Sequence, residues 1–247
     1  MESGAVAAAS PIEAVSASPI VLICITNYTD SLELLGAPEI RAILPGRTIV
    51  QLTTGTPQEA RNAEAWHRRA GTLYLDGAIL SGPHNIGKPD CMILYAGPPD
   101  AYRRAEPILV SLGGATRYIG ESIGSAAALD FAWLSMLYGL FLGVAHGARI
   151  CAAEGVHGLY PTVFPTTPHA QWVAGIIEQG AYANPGATLT TWRAALNMIQ
   201  RQAMEAGMTS EVPDFAAGIL DRAVARGLGD EHIAAITKVI CERTSAE

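Results

Sequence analysis

The chain has 247 residues, 49% hydrophobic and 16% charged, with a formal net charge of −7. That length can bury a core as one large domain or two smaller ones, and the apolar content excludes a disordered chain. No basic cluster exceeds the Arg103–Arg104 pair, which argues against nucleic acid and anionic membrane surfaces and leaves a small molecule or a protein as partner.

The start, "MESGAVAAAS", carries an acid at position 2 and no basic segment, so it reads as the start of a cytoplasmic protein rather than a signal peptide. "SPIVLICITN" (18–27) is a β-branched apolar run suited to a parallel strand buried on both faces. Cys24 within it reads as a small buried hydrophobe. "GRTIVQLTTGTPQEARNAEAWHRRAG" (46–71) reads as strand, turn and helix, with Thr56 as N-cap, Pro57 at the first helical position and Glu59 closing a capping box. A strand in "GTLYLDGAILSGP", a loop "HNIGKPD" and a strand in "CMILYAGP" follow. "PPDAYRRAEPILVSLGG" reads as a helix stopped at Gly113-Gly114, and "ATRYIG" as a last short strand.

This alternation predicts an α/β domain with a mainly parallel sheet over 1–122, and an all-α domain over 123–247. The breaks "LYPTVFPTTP", "GAYANPGAT" and "SEVPD" divide the second part into helices. The four cysteines (Cys24, Cys91, Cys151, Cys241) are far apart, with no Cys-x-x-Cys pair, so neither a disulfide framework nor a metal site is expected.

The stretch "GSAAALDFAWLSMLYGLFLGVAHG" (124–147) carries a single charge, Asp130. Its apolar part, Phe131 to Ala145, falls short of the ~20 residues needed to span a bilayer and reads as a buried core helix. At 100° per residue, Asp130 shares a face with Leu134, Leu137, Phe141 and Val144. Desolvation there raises the carboxyl pKa and suits it to acid/base work. Ser135, Gly139, Gly143 and Gly147 recur every four residues on another face, a stripe that lets a second helix approach closely, within the chain or across a dimer. His146 reads as a packing or interface histidine, and His157 and His169 as solvated loop residues.

Taken together, "SPIEAVSASPIVLICITNYTD", "TIVQLTTGTPQEA", "YLDGAILSGPHNIGKPDCMILYAG", "LGGATRYIGESIGSAAALDFAWLSMLYG" and "VPDFAAGILDRAVARGLG" resemble the β-hydroxyacid dehydrogenase superfamily. They are most similar to its imine reductase branch. The resemblance implies an N-terminal Rossmann domain for NADP(H), a long interdomain helix, and a helical C-terminal domain swapped in a homodimer. It also places Asp130 where the hydroxyacid dehydrogenases carry a catalytic lysine and imine reductases carry Asp or Tyr. "DGAILSGP" resembles the family's substrate-side loop and makes Ser81 a substrate contact, with His84 beside it as a secondary acid/base. Trp133, Tyr138, Trp172 and Trp192 are candidate pocket aromatics able to stabilise a cation. "TNYTD" and "TTGTP" resemble loops flanking the nicotinamide, so Asn27, Tyr28, Thr53, Thr54 and Thr56 would bind cofactor in an NADPH-dependent enzyme.

No G-x-G-x-x-G occurs in the chain. That loop would hold the pyrophosphate at a helix N-terminus. Against the family pattern, "GAVAAAS" falls where a third strand would be, so the sequence predicts a truncated Rossmann-like domain with little affinity for NADP(H). The expectation drawn from this is a cofactor-independent enzyme on an imine reductase scaffold. It would catalyse cyclisation, isomerisation or rearrangement of a secondary-metabolite intermediate, with Asp130 as the acid/base. An NADPH-dependent imine reductase and a non-catalytic dimeric binding protein are the alternatives.

Overall fold

A computed structural model describes residues 4–156, 158, 160–163 and 167–240. His157 and Cys241 lie outside the described residues. The chain forms two compact units, residues 1–131 and 132–247.

The first unit runs α1 (Pro11–Ser16), β1 (Ile20–Ile23), α2 (Tyr28–Gly36), α3 (Pro38–Arg41), β2 (Thr48–Gln51), α4 (Pro57–Arg69) and β3 (Leu73–Ile79). It continues with β4 (Ile93–Ala96), α5 (Pro99–Leu112), β5 (Arg117–Tyr118) and the opening turns of α6 (Ser125–Ala153). The five strands lie in chain order, β1-β2-β3-β4-β5. β1, β2 and β3 are mutually parallel, β4 runs antiparallel to β3, and β5 is parallel to β4. The single reversal has a plain cause: β3 and β4 are joined by a loop with one 3-10 turn (Pro83–Asn85), whereas helices return the chain between the parallel neighbours.

Alternation along the strands sends side chains to two faces. Ile49 and Tyr74 pack with Leu35, Leu44, Ala60 and Ala63 under α2, α3 and α4. Val50 and Leu75 pack with Tyr95, Ala101, Ala105 and Leu109 under α5. The helix start predicted at Thr56 is present in full: its hydroxyl accepts from the Glu59 amide at 3.1 Å, and the Glu59 carboxylate accepts from the Thr56 amide at 2.8 Å.

Two local expectations need correction. β1 is not buried on both faces; it pairs only with β2, so it is an edge strand, and Leu22 is 37% exposed. Cys24 is exposed, because β1 ends at Ile23 and the chain leaves the sheet there. Gly113 ends α5 as expected, with extended backbone (φ −166°). A Cβ on Gly113 would sit 2.5 Å from the Cys91 carbonyl, and one on Gly114 2.6 Å from the Pro89 Cα, so these glycines permit close backbone approach.

The second unit is helical: the remainder of α6, then α7 (Tyr160–Val163), α8 (Pro168–Gln179), α9 (Leu189–Glu205) and α10 (Glu211–Ala225), closed by a 3-10 turn at Ile233–Lys238. No strand occurs among its described residues; Thr188 and His232 make one isolated bridge. α10 begins inside the expected break "SEVPD", since Pro213 falls in the first turn, where its missing N–H costs nothing. A bidentate Arg193–Asp221 pair ties α9 to α10.

α6 extends over 29 residues, well beyond the apolar run from Phe131 to Ala145. By length and composition alone it could cross a membrane. Its Asp130, Leu134, Leu137, Phe141 and Val144 face is nevertheless buried within the protein, as the periodicity predicts. The small-residue stripe is not covered along its whole length. A Cβ on Gly139 or Gly143 would meet open space, and only Gly147 is closely approached, by the Tyr160 ring.

Gly124 sets the start of α6. It has φ +89°, and an added Cβ would lie 2.9 Å from the Pro57 carbonyl. Gly124→Ala should therefore destabilise the fold by about 1–3 kcal/mol, read as a lowered urea midpoint at unchanged slope.

Candidate active site

A cavity of about 300 Å³ opens in the first unit. Its walls come from the C-terminal ends of the parallel strands: Cys24 after β1, Leu52 and Thr53 after β2, and Ala78 and Ile79 closing β3. Ligands of open α/β sheets bind at this end, where successive connections diverge. Tyr28 from α2, Ser81 and Ile86 from the β3–β4 loop, and Ala127 and Asp130 from α6 complete the lining.

Asp130 is 6% exposed. Burial, and secondarily the negative charge of Asp76, raise its carboxyl from 3.8 to about 7. The sequence reading of a perturbed acid on the apolar face of this helix is thereby matched in direction and cause.

The second acid, Asp76, was not singled out from the sequence. It lies in β3, paired in register with Gln51 and Ala96, and is 1% exposed. Its Oδ1 accepts a 2.5 Å hydrogen bond from the Tyr28 hydroxyl. Burial raises this carboxyl to about 6, against the downward pull of Tyr28 and, more weakly, of the Ala127 amide. The available signal was a lone acid in "LYLDGAI", the same pattern that drew attention to Asp130. Tyr28 is held by close packing: a Cβ on Gly55 would fall 2.4 Å from its ring.

The other expected residues divide clearly. Ser81 lines the cavity and its Oγ accepts from the Met92 amide at 3.2 Å. Thr53 and the exposed Thr54 line it too, Thr53 accepting from the Ile25 amide at 3.0 Å. Asn27 caps α2 through the Asp30 amide, and Thr56 caps α4, so both side chains do structural work. His84 is exposed and is not part of the cavity wall, its ring folding back over Gly82.

The four expected pocket aromatics belong to the second unit, where each has packing partners. Trp192 stands edge-on to Tyr138 and Phe141, and its carbonyl accepts from the Tyr138 hydroxyl at 2.6 Å. Trp133 is edge-on to His169, and the half-exposed Trp172 to His232. The cavity around Asp130 is lined by first-unit residues alone. No cluster of His, Cys, Asp or Glu suited to a metal occurs among the described residues.

A mainly parallel sheet with a buried acid at its C-terminal end, followed by a long helix and an all-α unit, defines the architecture of a two-domain dehydrogenase. Comparison with known proteins agrees. Residues 1–120 match the NAD binding domain of 6-phosphogluconate dehydrogenase, and residues 122–242 match the NADPH-dependent reductive aminase-like C-terminal domain. An NADPH-dependent reductive aminase from Aspergillus oryzae is 31% identical over 96% of this chain and 82% of its own. The imine reductase from Myxococcus stipitatus, solved with NADP+, is 32% identical with a TM-score of 0.62, covering 94% of this chain and 84% of that one. A 3-hydroxyisobutyrate dehydrogenase from Salmonella typhimurium shares the fold at a TM-score of 0.82 and 16% identity, over 94% and 82% of the two chains. The chain belongs to the imine reductase and reductive aminase family.

These relatives are oxidoreductases. They lend no support to the expectation of a cofactor-independent cyclase or isomerase, which rested on the absent glycine motif, and favour the NADPH-dependent alternative.

Both buried carboxyls carry a stability consequence. Each holds its proton in the folded chain to a higher pH than in the unfolded chain, where it ionises near 3.8. The stability present below pH 4 is thus lost as pH rises through about 6 and about 7. For Asp130 the loss is about 4 kcal/mol. Denaturation between pH 4 and 8 should show Asp130→Asn gaining on the parent protein by that order as pH rises.

Proposed function

We propose that the protein is an NADPH-dependent oxidoreductase that reduces imines to amines, with Asp130 as the acid serving the imine nitrogen. The carrying observation is a buried, near-neutral carboxyl at the C-terminal end of the sheet, in a chain about one-third identical to a reductive aminase and an imine reductase. When bound, NADPH would supply a hydride to the imine carbon. Protonation of the nitrogen by Asp130 withdraws electron density from that carbon and leaves a neutral N–H in the product, so one hydride and one proton convert C=N to CH–NH.

The residues present suit the nicotinamide end of the cofactor. Thr53 already accepts the Ile25 amide, so its own O–H is left to donate, and Thr54 adds a second hydroxyl at the rim. Tyr28 contributes a rigid wall. Leu52, Ala78 and Ile79 make the remaining lining apolar, which excludes water and strengthens the proton's interaction with the substrate.

The experiment is a titration of the protein with NADPH, read by nicotinamide fluorescence, followed by NADPH consumption with a panel of cyclic imines. Micromolar binding and turnover are expected, and absence of both overturns the reading. Asp130→Asn should leave NADPH binding within a few-fold and lower kcat by about 10²–10⁴. In the parent protein kcat should fall as pH rises past about 7, where Asp130 loses its proton.

The proposal includes a homodimer built along α6. Ala132, Met136, Gly139, Gly143, His146 and Ile150 are exposed at alternating three- and four-residue steps, a seam that a second helix would cover. Light scattering should give twice the chain mass, and Met136→Glu should shift it toward the monomer.

A further inference from the structure

Asp76 and Asp130 face the same cavity from different elements, β3 and α6. The titratable groups lining it are Cys24 past β1, Tyr28 from α2, Asp76 and Asp130; its wall contains no Lys, Arg or His. Behind it lie Tyr74 on β3, whose hydroxyl borders Tyr28, and Glu59 on α4, whose carboxylate backs Gly55 and is committed to the Thr56 amide. No cation is therefore available from the wall to neutralise two carboxylates.

The two acids are not equivalent. Asp76 receives the Tyr28 O–H at 2.5 Å and feels the Ala127 amide at the start of α6, both of which favour its anion. Its Oδ2 is buried and makes no hydrogen bond. Among the described residues Asp130 has no comparable donor; what it feels besides burial is the charge on Asp76. Two carboxyls enclosed together in an apolar site cannot both ionise cheaply, and the one with donors ionises first.

We propose that Asp76 is the electrostatic partner of Asp130. The two carboxyls hold one proton across the cavity, and the Tyr28 hydroxyl fixes the negative charge on Asp76 so that the proton resides on Asp130. Asp76 is thus a positioning residue that keeps Asp130 in its donating form. As pH rises the pair passes through a singly protonated form, Asp76 ionising before Asp130. As a statement about catalysis this rests on the reductase reading, but as a statement about proton position it does not.

The test is carboxyl ¹³C NMR on the full chain from pH 4 to 9, with no cofactor or substrate. Asp130→Asn assigns the second resonance. Asp76→Asn should lower the Asp130 midpoint at least tenfold in proton affinity, one pH unit or more. Tyr28→Phe should raise the Asp76 midpoint and make the two resonances titrate in the same steps. It also serves as the second variant where Asp76→Asn fails to give native near-ultraviolet circular dichroism. An Asp130 midpoint unmoved in a folded Asp76→Asn protein, or unaltered titrations in Tyr28→Phe, overturns the pair.

Activity separates the two proposals. Shifted midpoints without imine reduction would keep the pair and remove the reductase reading. Imine reduction with unmoved midpoints would do the reverse. Where both hold, the alkaline limb of the kcat profile moves down in Asp76→Asn by the shift seen in the spectra.

Discussion

Asp76 occupies the middle of a strand flanked on both sides, and a carboxyl there is tolerable only because Tyr28 reaches it from α2 with a hydroxyl 2.5 Å away. The rest of the first unit accommodates this contact. Gly55 has no Cβ because the Tyr28 ring fills that space. Ser31 donates to the Tyr28 carbonyl while accepting from Gln51, locking the first turn of α2 to β2. The buried hydrogen bond costs conformational freedom at three elements, and what it fixes is the end of the sheet that carries the cavity.

The same end of the sheet explains how α6 acquires an acid without unfolding. Ala126 packs with Ala78, Leu94 and Ala96, so small side chains let the helix start close to the strands. Asp130, one turn further on, then faces the cavity rather than solid core. A carboxyl so placed is already desolvated by the protein and is desolvated further when a ligand fills the cavity. Desolvation on ligand binding would thus drive the proton further onto Asp130 at the moment it is needed.

Much of this was legible because it was local. The capping box at Thr56 and Glu59, the strand in "TIVQ" and the face shared by Asp130 and Phe141 depend on residues within a few turns of one another. The family resemblance also depends on runs of sequence, and the relatives bear it out. What escaped was long-range. Tyr28 and Asp76 are 48 positions apart, and no periodicity joins them. Cys24 looked buried because its neighbours are apolar, yet exposure there is set by where β1 stops pairing. The aromatics picked out for their affinity for cations lie in the second unit, where Trp192 and Tyr138 are joined by edge-on packing and a hydrogen bond.

The absent glycine motif misled for a different reason. It concerns how the phosphates of a dinucleotide are held, whereas the groups around Asp130 concern only the reacting end. These two jobs are physically separable: binding free energy from the phosphates sets affinity, while the acid and the apolar walls set the barrier. What the sequence shows of one therefore says little about the other. A carboxyl kept near neutrality in an apolar cavity is a costly arrangement, worth several kcal/mol of fold stability at neutral pH. Two such groups lining one cavity, with a tyrosine hydroxyl assigned to one of them, are hard to account for as packing. It is the arrangement expected where a proton must sit on a chosen oxygen.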